Sequence, residues 1–178
     1  MSNAVYLVSS LPMLQFGDVP PFSLTAFRHQ CEGVISPSEL EALDALIEGR
    51  DHQDPFVSAY MAHETQLNNI AGRFRAAAWG ADVRFSERSF AGYDVVYGKM
   101  ISDALVKSNP LEREQDIDKA RFWLVDQLSG VGGFTMAHVY AFAVKLMVCE
   151  RWNRLTQVAG DAALMQVIND NDLALVRE

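Results

Sequence analysis

Residues 135–157 read TMAHVYAFAVKLMVCERWNRLTQ, and the fold turns on them. The first fifteen of these residues hold only His138 and Lys145 as strongly polar positions, and no proline interrupts the run. Gly132-Gly133 before it and Gly160 after it mark its ends. One apolar series runs Met136, Val139 or Tyr140, Ala143, Leu146 or Met147, while Ala141, Phe142 and Val148 fall on other faces. A helix apolar nearly all round is buried by neighbours on several sides. Polarity rises abruptly at Glu150, so the helix is expected to leave the core there and show its last two turns to solvent or a partner. Glu150 and Arg154, four apart, add modest local support.

The apolar run Val131–Cys149 approaches the length of a membrane span, but it would carry His138 and Lys145 into the bilayer. The reading is a buried helix with no membrane span. A chain of 178 residues, 49% hydrophobic, can bury a core of its own and is not globally disordered. Its net charge of -8 argues against a nucleic-acid partner, which would want clustered Lys and Arg. Cys31 and Cys149 are too far apart to suggest a disulfide framework, and no signal peptide is evident. A cytoplasmic location is expected.

Further helices flank this axis. Ser36-Pro37-Ser38-Glu39 is a capping box with proline at the first helical position, and Leu40, Leu43, Leu46 and Ile47 follow as a stripe up to Gly49. Asp54-Pro55 opens a long helix to about Ala78, its buried side traced by Phe56, Tyr60, His63 or Glu64, Leu67, Ile70, Phe74 and Ala77 or Ala78. Asn109-Pro110 opens another, with Leu111, Ile117, Trp123 or Leu124 and Leu128 apolar. Ser23 caps a short helix from Leu24 to about Glu32, Lys99 to Lys107 reads as helix, and a last helix is expected over about Ala162 to Ile168. Residues 4–14 alternate weakly, so they read as a short strand or, with no second strand beside them, an extended arm across the helices. Residues 81–98 read as a connector, partly helical or holding a strand from Tyr93 to Tyr97. The expected fold is an all-α, compact multi-helix domain around a buried long helix, with an extended N-terminal arm. Residues 1–178 are expected to form one domain, with a subdivision near 80–98 left open.

Catalytic motifs are incomplete. His63-Glu64 begins like HExxH, but Leu67 stands where the second ligand belongs. Gly130, Gly132 and Gly133 match no phosphate loop and follow a helix, not a strand. Glu112, Glu114, Asp116 and Asp118 read as a solvated helix start, favoured by the helix dipole. No enzymatic activity, metal or cofactor is expected. The remaining polar positions are Glu64, Asn68, Asn69 and Arg73 on the long helix and Glu150, Arg151, Trp152 and Arg154 on the axis helix. They form either an inter-helix network or a docking surface anchored by Trp152.

Several stretches carry a resemblance. YLVSSLPML followed by FGDVPPFS resembles the opening of a bacterial family associated with V-type ATPases and distantly related to the C-type (d or AC39) component of the V/A-type enzymes. In AHETQLNNIAGRFRAA, Glu64, Leu67, Asn69, Arg75 and Ala76 match the family pattern, and Asn68 stands where that pattern has arginine. NPLEREQDIDKARFWLVDQLSG and FTMAHVYAFAVKLMVCERWNRL resemble its paired helices, most specifically at Lys145, Leu146, Glu150, Arg151 and Trp152. The resemblance implies a non-catalytic helical adaptor of a V/A-type ATPase. It would link the central shaft to the membrane rotor ring, or aid its assembly, and sit in the cytoplasm or peripherally at the inner face of the membrane. Central-stalk and membrane-ring subunits are the implied partners. Two alternatives stand beside it: a free-standing helical scaffold or regulator, and a small-molecule-binding helical domain or enzyme with a pocket near His138 and the long helix.

Overall fold

A computed structural model describes residues 4–80, 86–155, 160 and 164–166. Among them the chain is an all-α, multi-helix domain with the order α1 (Ala4–Ser10), α2 (Leu24–Cys31), α3 (Pro37–Glu48), α4 (Pro55–Trp79), α5 (Val95–Leu105), α6 (Pro110–Ser129) and α7 (Met136–Arg154). No helix among the described residues is long and apolar enough to cross a membrane. The expected helix at 162–168 lies largely outside the described residues, of which 164–166 are helical.

The helix entries follow local chemistry. Ser36 Oγ accepts from the Glu39 amide while Glu39 Oε2 accepts from the Ser36 amide at 2.7 Å, so two orphan donors of the first turn are satisfied. Asp54 and Asn109 cap α4 and α6, each followed by a proline whose missing N–H costs nothing at that position. At the end of α3, Gly49 takes a left-handed φ of 68°, which a side chain would resist.

α7 is the axis. Val139, Tyr140, Ala141, Phe142, Ala143, Val144, Leu146, Val148 and Cys149 are all buried along it. α1, α2 and α3 pack against it, as do α4 and α6, while α5 lies on α4 and α6. Lys145 escapes the core by reaching Asp126 Oδ1 at 2.6 Å, its ammonium over the Phe122 ring.

Three expectations need correction. Residues 4–10 form a helix and neither a strand nor an extended segment. Among the described residues no strand is available to pair with them, so their backbone groups are satisfied within one turned segment, and Leu7 alone is fully buried among those whose side chains are described. The chain runs without regular structure from 11 to 23, apart from turns. Of the two readings of residues 81–98, the partly helical one holds where they are described, and Tyr93–Tyr97 is not a strand. Asp94 caps the amide of Tyr97 at 2.8 Å, so α5 begins at Val95, four residues before the expected start. Finally, the buried face of α4 ends at Gly72. Phe74, Ala77, Ala78 and Trp79 continue the apolar pattern, yet all are exposed, Trp79 to 75%.

Candidate functional site

The polar residues of α4 and α7 meet through two residues of α6. Arg121 donates to both carboxylate oxygens of Glu64, at 2.7 and 2.8 Å, and to Asp118 Oδ1 at 2.7 Å. Asp118 is completely buried, and its Oδ2 accepts from Trp152 Nε1 at 2.6 Å and from Arg151. Arg151 also approaches Glu114 at 3.5 Å. One chain of charge-assisted bonds, Glu64–Arg121–Asp118–Arg151/Trp152, therefore ties α4, α6 and α7 together. Burial disfavours the Arg121 charge, but the hydrogen bonds and charge of Glu64 outweigh it, and the guanidinium is held above its ordinary value.

Asp118 corrects the sequence reading of a solvated acidic start. Rotation of α6 places Ile117, Ala120, Leu124 and Val125 in the core, and Asp118 goes inward with them. There it meets donors more than 30 residues away in sequence.

Trp152 is half-buried. Its ring packs edge-on against Phe16, which packs edge-on against Phe122, each at 5.8 Å between centroids. Cys149 and Val148 complete this small second core. Glu150 divides its carboxylate: Oε1 accepts from the Leu24 amide at the start of α2, at 2.7 Å, and Oε2 from Arg154 at 2.8 Å. Asn153 and Arg154 face solvent.

Asn69 and Arg73 serve a different segment. Asn69 exchanges two bonds with the main chain of Arg88, donating at 2.8 Å and accepting at 3.0 Å. Gln66, one helical turn earlier and fully buried, does the same with the main chain of Asp94, at 2.6 and 3.0 Å. Arg73 pairs with Glu87. The two amides substitute for a neighbouring strand and fix residues 86–94 along α4. Asn68 is exposed and joins neither network.

Two hollows flank Arg121 and Arg151. The smaller, about 300 Å³, adds Tyr60, Glu64, Val144, Met147 and Val148. The larger, about 400 Å³, lies between α4 and α6, with Leu67, Ala71, Leu105 and Ile117 as floor, Arg75, Arg113, Arg121 and Arg151 around it, and Phe74 and Trp79 at one end. Arg113 lies over the Phe74 ring and donates to the Lys107 carbonyl at 2.7 Å. Its Nε is buried with no hydrogen-bond partner among the described residues. The sequence reading singles out neither Asp118 as a hub nor Gln66, Arg113, Arg121 and Trp79. The available signals were Asp118 and Arg121 at i,i+3 and the long-helix pattern continuing past Phe74.

His138 lies near a separate shallow hollow with Lys145 and Asp126, and its Nδ1 is 3.0 Å from Thr135 Oγ1. Burial pushes the Cys31 thiol up to about 11 and raises that of Cys149, so neither is a ready thiolate near neutral pH. Among the described residues no group of three or more His, Cys, Asp or Glu is placed to hold a metal ion. No family model, curated protein or solved structure matches this chain.

Proposed function

We propose that this protein is a non-catalytic helical adaptor of a V/A-type ATPase, acting at the cytoplasmic face between the central shaft and the membrane rotor ring or in their assembly. One observation carries the reading beyond resemblance. Parts of several stretches that resemble the ATPase-associated family, far apart in sequence, meet at the Glu150–Trp152 end of α7, while YLVSSLPML lies along its earlier half. Phe16, from the FGDVPPFS stretch, packs on Trp152. Leu24, which follows that stretch, donates its amide to Glu150. Glu64, from the long helix, reaches Trp152 through Arg121 and Asp118. A part that carries load between two partners needs its helices tied so that they move as one, and a continuous chain of charge-assisted bonds supplies such a tie.

The test is native co-purification. A tagged full chain expressed at its ordinary level is recovered from gently solubilised membranes, and its companions are identified by mass spectrometry. Shaft and proteolipid-ring subunits should be retained together with it. Recovery of neither, from membranes that contain the intact ATPase, removes the reading.

A further inference from the structure

We propose that the trough between α4 and α6 receives an acidic amphipathic helix of a partner protein. The proposal deepens the adaptor reading and rests on it for the partner being a protein. Its own support is geometry and charge.

The geometry favours a helix over a compact ligand. Apolar surface open to solvent runs from the half-buried Ala71 through Phe74 and Ala78 to Trp79 along α4, eight residues of helix or about 12 Å at 1.5 Å per residue. Two helical ridges with an apolar floor between them form the groove that an amphipathic helix fills with its i, i+3, i+4 and i+7 side chains. Exposed tryptophan and arginine are the residue types that concentrate binding energy at such surfaces.

The charge selects an acidic occupant. Four arginines and one carboxylate, Glu114, line the trough of a chain whose net charge is -8. Arg121 and Arg151 are engaged with Glu64, Asp118 and Glu114. Arg113 has a carbonyl for its polar partner, and Arg75 has no carboxylate partner among the described residues. Arg75 and Arg113 thus leave positive charge on this trough of a net-acidic chain, and it complements the carboxylates of an acidic helix.

The test uses purified full chain and a fluorescein-labelled synthetic peptide of about five helical turns. Leucines occupy one face of the peptide and glutamates the other. A lysine-for-glutamate version and a scrambled version serve as comparisons. Fluorescence anisotropy should show saturable binding of the acidic helix, weakened by salt. Arg75→Glu and Trp79→Ala change exposed side chains, so circular dichroism should stay unchanged while affinity falls by about tenfold or more. Lys99→Glu, on exposed α5 surface, should leave binding intact. Equal binding of the basic or scrambled peptide, no binding, or indifference to both trough variants overturns the proposal. Full displacement of the acidic peptide by citrate at matching concentration also overturns it and makes the trough a small-anion pocket. The two readings fail separately: peptide binding without recovery of ATPase subunits sinks the ATPase assignment alone, and recovery of those subunits that survives both trough variants sinks the trough alone.

Discussion

Replacing Arg121 by methionine tests the tie between α4, α6 and α7 most directly. The guanidinium makes three charge-assisted hydrogen bonds, to Glu64 at 2.7 and 2.8 Å and to Asp118 at 2.7 Å. Its side chain and that of Glu64 are each 19% exposed, and Asp118 is fully buried. Removing one member of a buried ion pair costs about 3–5 kcal/mol, because the surviving charge stays desolvated. Two features place this case near the lower end. Glu64 can turn toward water, and Asp118 keeps Arg151 and Trp152. The expected cost is about 3 kcal/mol. Glu64→Met leaves Arg121 paired with Asp118 and should cost about 2 kcal/mol. The double variant removes one positive and one negative charge together and fills the space with apolar side chains. It should therefore cost about 1–2 kcal/mol, less than Arg121→Met alone. Urea unfolding at pH 7, followed by far-UV circular dichroism with the m-value monitored, measures all three. A cost below about 1 kcal/mol for Arg121→Met, or a double variant equal to the sum of the singles, would refute the reasoning.

Other perturbations follow from the same contacts. A Cβ at Gly98 would lie 2.7 Å from the Tyr93 hydroxyl and 2.9 Å from Gln66 Nε2. Gly98→Ala should therefore lose about 1–2 kcal/mol in thermal unfolding, despite the roughly 1 kcal/mol of helix propensity that alanine brings. Gln66→Leu orphans the main-chain amide of Asp94, whose carbonyl keeps the Gly98 amide. It should cost about 2 kcal/mol and speed tryptic cleavage at Arg88, whereas equal cleavage rates would show that residues 86–94 are held by something else. The Cys31 thiol is held near 11 in the folded state against 9.0 in the free side chain. Its contribution is thus complete below pH 9 and disappears as pH rises through about 11, about 3 kcal/mol in all. Stability measured over that range should fall less steeply in Cys31→Ala.

Much of the scaffold was legible because its signals are local. The Ser36 box, the Asp54-Pro55 and Asn109-Pro110 entries and the apolar run from Val139 to Cys149 each declare a helix within a few residues. What escaped depends on partners distant in sequence. Asp118 sits among Glu112, Glu114 and Asp116, and nothing near it announces that Arg151 and Trp152 will arrive to solvate it. Gln66 and Asn69 look like surface amides until residues 86–94 are laid against them. In residues 4–10 a seven-residue window is too short to separate a strand period from a helical turn. Past Gly72 the apolar pattern of α4 continues without cover among the described residues, since periodicity records a greasy face and not what lies on it.

The position of α7 bears on how the chain is made. α1, α2 and, beyond its contact with α4, α3 find their packing partner in a helix that begins more than 85 residues after α3 ends. A ribosome delivers the N-terminal helices first, with Phe27, Leu43 and Leu46 ready for a core not yet synthesised. These apolar faces must wait, shielded by one another or by a chaperone, until Met136–Arg154 clears the exit tunnel. A nascent chain stalled before α7 should thus be held by chaperones and digested readily, and release of the final helix should protect the earliest ones.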